Sequence, residues 1–175
     1  MNKHNDNPST STTIDNIISQ EFPDIAKHVL QESAVEFLKQ NKFTDSILKK
    51  LVDIFGDVFE RALKLYETKR VTKIIAFDPV QKGTLKDIYE SRWLIEVKGL
   101  TGECYTLFPN VNFCSCYSFR YHVLGDQSEL TCKHLLAAWL ANLDTKKLNI
   151  NSLTPVQFKN LLHYQVTYIQ DESTN

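Results

Sequence analysis

Apolar positions fall into two regimes along this chain, helical in the first part and strand-like after it, behind a polar lead. Apart from Met1, residues 1–13 hold no large apolar side chain and are rich in Asn, Ser and Thr. Such a stretch buries too little to offset its ordering entropy, and the pattern predicts a disordered tail. Over 14–40 the spacing is helical, with a break at Pro23. Past that proline, Ile25, Val29 and Phe37, with Ala26, Leu30, Ala34 and Leu38, recur at three- and four-residue steps. Residues 43–68 predict a second helical region with Thr44 as its N-cap. Ile47, Leu48, Leu51, Ile54 and Phe55 form one stripe, and Val58, Phe59, Ala62, Leu63 and Tyr66 form the next. Gly56-Asp57 divides them, with Asp57 expected to cap the second half. Core packing and helix-in-groove docking share this spacing, so Phe55, Phe59 and Leu63 are candidates for a partner face as well as for a core.

From Arg70 the period changes. Residues 71–77 are β-branched and short and read as a strand. Residues 78–87 read as a loop. Residues 91–98 alternate, with Trp93, Ile95 and Val97 on one face, and after a turn at 99–102 a third strand spans 103–108. The three predict an antiparallel meander, with Cys104 as a packed thiol. A short helix over 117–124 points Phe119 and Val123 inward. After a polar turn at 125–129, Thr131 is expected to cap an apolar helix over 132–142 carrying Leu135, Leu136 and Trp139, with Leu143 just beyond. Residues 146–151 read as a link to a last helix, opened by Thr154, Pro155 and Gln157 as N-cap, first-position proline and capping-box partner. Its apolar face is Leu161, Leu162, Val166 and Ile169, and the tail after Gln170 is expected to fray. The fold class is α+β: a helical region over 14–69, a small antiparallel sheet with short helices over 70–145, and a C-terminal helix over 146–170.

Composition narrows the function. The chain has 175 residues, 42% hydrophobic and 23% charged, which suits one domain with a real core. Its 20 Lys and Arg against 21 Asp and Glu leave a formal charge of −1, so no global positive field draws it onto nucleic acid. Lys69, Arg70, Lys73, Lys82, Lys86 and Arg92 give the strand region local positive charge. Trp93 and Tyr105 would stack bases there if exposed, although Trp93 shares a face with Ile95 and Val97 and so points to the core. No apolar run reaches the ~18 residues a membrane span needs, and the N-terminus lacks an apolar signal core. The expectation is a cytosolic or nuclear protein in which cysteines stay reduced.

The chemistry lies in Cys114, Cys116, Cys132 and His134. A Cys-x-Cys pair turns two thiols to one side of an extended backbone, and a Cys-x-His pair at a helix start adds two more donors. Three thiolates and one imidazole form a closed tetrahedral zinc set with no position left for water, which predicts one structural Zn2+. The bland alternative is three buried thiols and a satisfied core histidine. His122 is a less regular substitute for His134, and His163, without a Cys or acidic neighbour, reads as a surface residue. The sequence holds no Gly-rich phosphate loop, nucleophile elbow or His-Glu-x-x-His, and predicts no enzyme.

These residues resemble the SWIM zinc finger, Cys-x-Cys followed after a spacer by Cys-x-His, with Ala137 at its extended position. Cys-Ser-Cys-x-x-Phe through Phe119, the fifteen-residue spacer and Cys-Lys-His-Leu-Leu-Ala are similar to the family of the SWIM-domain subunit of the Shu complex. The likeness extends upstream through Phe55-Gly56 and Ala62-Leu63. The resemblance implies Cys114, Cys116, Cys132 and His134 as ligands and Ala137 as a tight packing position. It implies a nuclear adaptor in homologous-recombination DNA repair, paired with a RecA-type recombinase paralogue. Such a complex favours recombinase filament assembly on single-stranded DNA, met through the complex. The alternatives are a finger that binds DNA directly, or a SWIM interaction module of another family.

Overall fold

The computed structural model describes residues 23–77, 92–109 and 111–171, with side chains through 165. The tail at 1–13, the helical reading of 14–22 and the loop at 78–87 lie outside the described residues. Helix α1 spans Asp24–Gln40, with Pro23 at its N-cap, where a missing N–H costs nothing. It buries Ala26, Leu30, Ala34 and Phe37. Helix α2 spans Asp45–Phe55 and begins at Thr44, whose Oγ1 accepts from the Ile47 amide at 3.3 Å. The same hydroxyl donates to Glu36 Oε1 at 2.6 Å, so the cap also ties α2 to α1.

Helix α2 stops at Gly56, and α3 follows at once over Asp57–Glu67. Gly56 has φ 49° with open space where a Cβ would sit, so backbone conformation and not crowding favours glycine. Asp57 does not cap α3 as expected. Gly56 holds the cap position, and Asp57 lies in the first turn, where a carboxylate meets the positive end of the helix dipole. Phe55 and Phe59 are 6% and 1% exposed and Leu63 is partly buried against the same cluster. This corrects the partner-face reading of Phe55 and Phe59: both rings are taken up by the chain's own core.

Strands β1 (Val71–Ala76), β2 (Trp93–Lys98) and β3 (Cys104–Leu107) form the expected antiparallel meander. A fourth strand, β4 (Asn149–Leu153), adds parallel to β1 and makes the sheet mixed, in the order β3-β2-β1-β4. Residues 146–151 read as a link from sequence alone, because Ile150 is the one β-branched residue in a run of Lys and Asn and β-propensity is low. Pairing with β1 supplies what the segment lacks. Between β3 and β4 the chain passes through a helical turn and helix α4, Lys133–Leu143, which carry it from one edge of the sheet to the other.

The sheet is covered on both faces. Val71, Ile95, Val97 and Leu107 pack with α3 and α4, while Ile74 and Leu94 pack with Phe158 of helix α5, Pro155–Asp171. Leu94 and Ile95, adjacent and each 2% exposed, face opposite layers. Helix α4 is apolar nearly all round and buried from His134 to Ala141, as a helix held between others and a sheet must be. Its N-cap is Cys132, not Thr131, whose buried Oγ1 has no hydrogen-bond partner among the described residues. The capping box at α5 forms: the Thr154 amide donates to Gln157 Oε1 at 2.9 Å, and the Gln157 amide to Thr154 Oγ1 at 3.3 Å. Cys104 is exposed, contrary to its reading as a packed thiol, because it opens an edge strand beside the 99–102 turn.

Candidate metal centre

Two backbone forms deliver the donors. Cys114 and Cys116 lie on the stretch after β3, just before the chain winds into a short helical turn. Cys132 and His134 lie at the N-cap and in the first turn of α4. The ligand atoms of all four lie within 4.8 Å of one another, and all four residues are buried. Cys114 Sγ is 3.7 Å from His134 Nδ1. Tetrahedral zinc, with bonds of about 2.3 Å to sulfur and about 2.0–2.1 Å to nitrogen, spaces S and N by about 3.6 Å, so the edge fits. The donor set fits as well, because thiolate and imidazole are the ligands zinc prefers. Cys114, Cys116, Cys132 and His134 would hold the ion, which would cross-link the two backbone segments.

The electrostatics point the same way. Three thiols this close cannot all ionise without a cation. Cys116 takes the charge: hydrogen bonds from the Cys114 and Cys132 thiols, aided by the Phe119 amide at 3.3 Å, hold its pKa far below the usual thiol range. The Cys114 thiol is pushed up to about 12, first by its hydrogen bond to Cys116. Burial, then the two neighbouring sulfurs, push Cys132 well above its ordinary value. A cavity that favours one thiolate and resists two more is one that a bound divalent cation would relieve.

Surrounding residues fix the donors. Phe119, 1% exposed, starts the turn over Phe119–Gly125, which is wound wide enough for the Asp126 amide to reach the Tyr121 carbonyl at 2.8 Å. That five-residue step marks a π-helix, a form that recurs at functional sites. Ala137 is fully buried one turn past His134. Tyr105 of β3 stacks on the His134 ring with centroids 4.1 Å apart, and burial first, then Glu103, raises its pKa. Glu129 accepts from Ser118 Oγ at 2.7 Å and from Arg61 of α3 at 3.3 Å, clasping the turn to the core. The sequence hid the roles of Tyr105 and Glu129 here, since packing of a strand against α4 brings in one and a 68-residue separation the other.

His122 is not in the cluster. Its Nδ1 faces Asp126 Oδ2 at 3.3 Å and Ser128 Oγ at 3.4 Å. Both partners meet one ring nitrogen, which is not the relay of a hydrolytic triad. His163 lies on α5, in the layer across the sheet. Of the basic stripe, Lys82 and Lys86 fall outside the described residues. Lys73 lies with its Nζ 4.4 Å over the half-buried Trp93 ring, and burial lowers its pKa. Trp93 is thus capped by Lys73, and Tyr105 is engaged by His134. No helix among the described residues is long and apolar enough to cross a membrane.

No protein-family model matches the chain. Zinc finger SWIM domain-containing protein 7 of Mus musculus is 30% identical over 122 residues, covering 70% of this chain and 72% of that protein. The protein of the same name from Homo sapiens is 26% identical over 122 residues, covering 70% and 79%. The Dictyostelium discoideum homolog is 28% identical over 105 residues, covering 60% of each. With that share of both chains matched and the four donors gathered in one buried cluster, this chain belongs to the family of SWIM-type zinc finger proteins named zinc finger SWIM domain-containing protein 7.

Proposed function

We propose that this chain is a non-enzymatic adaptor subunit of a homologous-recombination DNA repair complex in the nucleus. It pairs with a RecA-type recombinase paralogue and promotes recombinase filament assembly on single-stranded DNA, which it meets through the complex. One zinc ion serves it structurally. The observation that carries this reading is the closed site: four buried protein donors in a SWIM-family chain leave no coordination position for water or substrate. A closed site builds a surface and does no chemistry of its own, which is what an adaptor requires. The resemblance to the Shu-complex subunit supplies the partner class. The test is affinity purification of the tagged chain from its own cells, followed by mass spectrometry and by localisation of the tag. Recovery of a RecA-type paralogue, lost with Cys116→Ser, is expected. A clean preparation without any such protein overturns the reading.

A second reading, direct binding of single-stranded DNA by the finger, draws on one feature. Tyr117 and Tyr121 stack at 4.2 Å and are 63% and 57% exposed, with exposed Arg120 between them in sequence. Exposed aromatic platforms with a nearby cation suit unstacked bases. A gel shift with the purified chain alone decides it: retardation at low salt that Tyr117→Ala with Tyr121→Ala abolishes supports direct binding, and none at any salt excludes it.

A further inference from the structure

Strand β4 is an edge of the sheet, paired only with β1 among the described residues. The Phe77 amide donates to the Leu153 carbonyl at 2.8 Å, and the Ala76 amide donates the other way, to the Arg92 carbonyl at 2.8 Å. Main-chain groups alternate between the two edges of a strand. In the observed register, Asn149, Asn151 and Leu153 therefore bond inward to β1, and the N–H and C=O groups of Ile150 and Ser152 point outward. Ile150 is 66% exposed. Natural edges are blunted by charge, proline or a bulge, and β4, Asn-Ile-Asn-Ser-Leu, carries no charge and no proline.

The charge sits at one end of this edge. Lys146 and Lys147 lie just before β4, and Asn149 Nδ2 donates to the Lys69 carbonyl at 2.7 Å, which places Lys69 beside them. Among the described residues none of the three has a carboxylate within 4.0 Å. The neighbouring Asp144 is engaged instead by Tyr66 and by the Lys146 amide. The other end leads into the N-terminus of α5, whose dipole also favours negative charge. In a chain of formal charge −1, these lysines are a local concentration of positive charge.

We propose that the β4 edge is a docking site for an extended acidic segment of a partner polypeptide, which adds as a fifth strand outside β4. Main-chain hydrogen bonds to Ile150 and Ser152 supply the pairing, and carboxylates beside Lys69, Lys146 and Lys147 set direction and choice of partner. A second copy of this chain fits less well, because it would bring a lysine-flanked strand of its own and no carboxylate to meet these lysines. The site is independent of the adaptor reading and does not include the metal donors.

The probe is a pair of synthetic peptides of alternating valine and threonine, with glutamates at one terminus or the other. Each is titrated into the zinc-loaded, isotope-labelled full chain and followed by amide NMR. One is expected to saturate below about 1 mM, shifting the Ile150 and Ser152 amides and slowing their hydrogen exchange. Ser152→Pro removes an outward N–H that the fold does not use, and should weaken binding at least tenfold. The double variant Lys146→Glu, Lys147→Glu should do the same, and decides the matter if the proline variant does not fold. The proposal is overturned if neither peptide shifts those amides, or if lysine-ended versions bind as well. It is equally overturned if the edge amides respond instead to the concentration of the chain alone, which assigns the edge to a second copy.

Discussion

The His134 imidazole has Tyr105 stacked on its face, and its Nδ1 looks toward the Cys114 sulfur. A ring held this way is pre-oriented for a metal, and such supporting contacts commonly tune affinity by about 10–100-fold. Tyr105→Ala is expected to weaken zinc binding about tenfold in competition with a chromophoric chelator, and Tyr105→Phe to leave it unchanged. A different side-chain effect sits at Tyr66, which is 6% exposed and donates to Asp144 Oδ2 at 2.6 Å. Burial first, then the Asp144 carboxylate, raises its pKa above the ordinary value of 10.0. The unfolded chain therefore releases this proton first as pH rises. The stability Tyr66 contributes is complete below pH ~10 and is lost above it. Urea unfolding across that range should show wild type falling more steeply than Tyr66→Phe, which starts about 1–2 kcal/mol lower at neutral pH. The four donors were legible in the sequence because their chemistry lies in short spacings. The Tyr105–His134 contact and the Tyr66–Asp144 pair were not, because strand-on-helix packing and a 78-residue separation bring them together.

Among the elements, helices α2 and α3 were readable because every device that starts or stops them is local. Thr44 caps one, and Gly56 breaks the pair where its φ of 49° suits few other residues. What periodicity could not decide was which way the stripe faces. The structure turns Phe59 into the core at 1% exposure and leaves Leu63 partly buried. Phe59→Ala is then expected to cost about 3–5 kcal/mol through the cavity it leaves. Leu63→Ala should cost about 1 kcal/mol, as fits half a leucine's burial. Equilibrium urea denaturation of both variants checks the contrast, and equal losses would mean the stripe is oriented otherwise. Strand β4 stayed hidden for the opposite reason. Its sequence carries little strand signal, and its place is set by β1, more than seventy residues earlier in the chain. Thr131 misled for a related reason: a good capping residue stands one position too early, and the metal-donor cysteine takes the cap.

At the scale of the whole molecule, α4 belongs at once to the metal centre and to the core. Its first residues complete the donor set, and the rest, from Leu135 to Ala141, fills the layer between α3 and the sheet. The finger is therefore not an appendage that can come loose by itself. Structural zinc in small fingers contributes roughly 10–16 kcal/mol of apparent binding energy, as much as the whole stability of a typical domain. Removing the ion would leave a cluster in which Cys114 and Cys132 resist ionisation beside the Cys116 thiolate, and the start of α4 would lose its anchor. The loss should then travel along α4 to Val71, Ile95 and Val97 of the sheet. Chelation, or Cys116→Ser, is expected to lower the melting temperature in one cooperative transition. Amide exchange should speed up in β1 and β2 as well as over 111–145. A local finger predicts something else: faster exchange confined to 111–132, with the β1 and β2 amides as protected as before. Hydrogen exchange read by mass spectrometry, with and without zinc, separates the two directly, and α4's double membership requires the first.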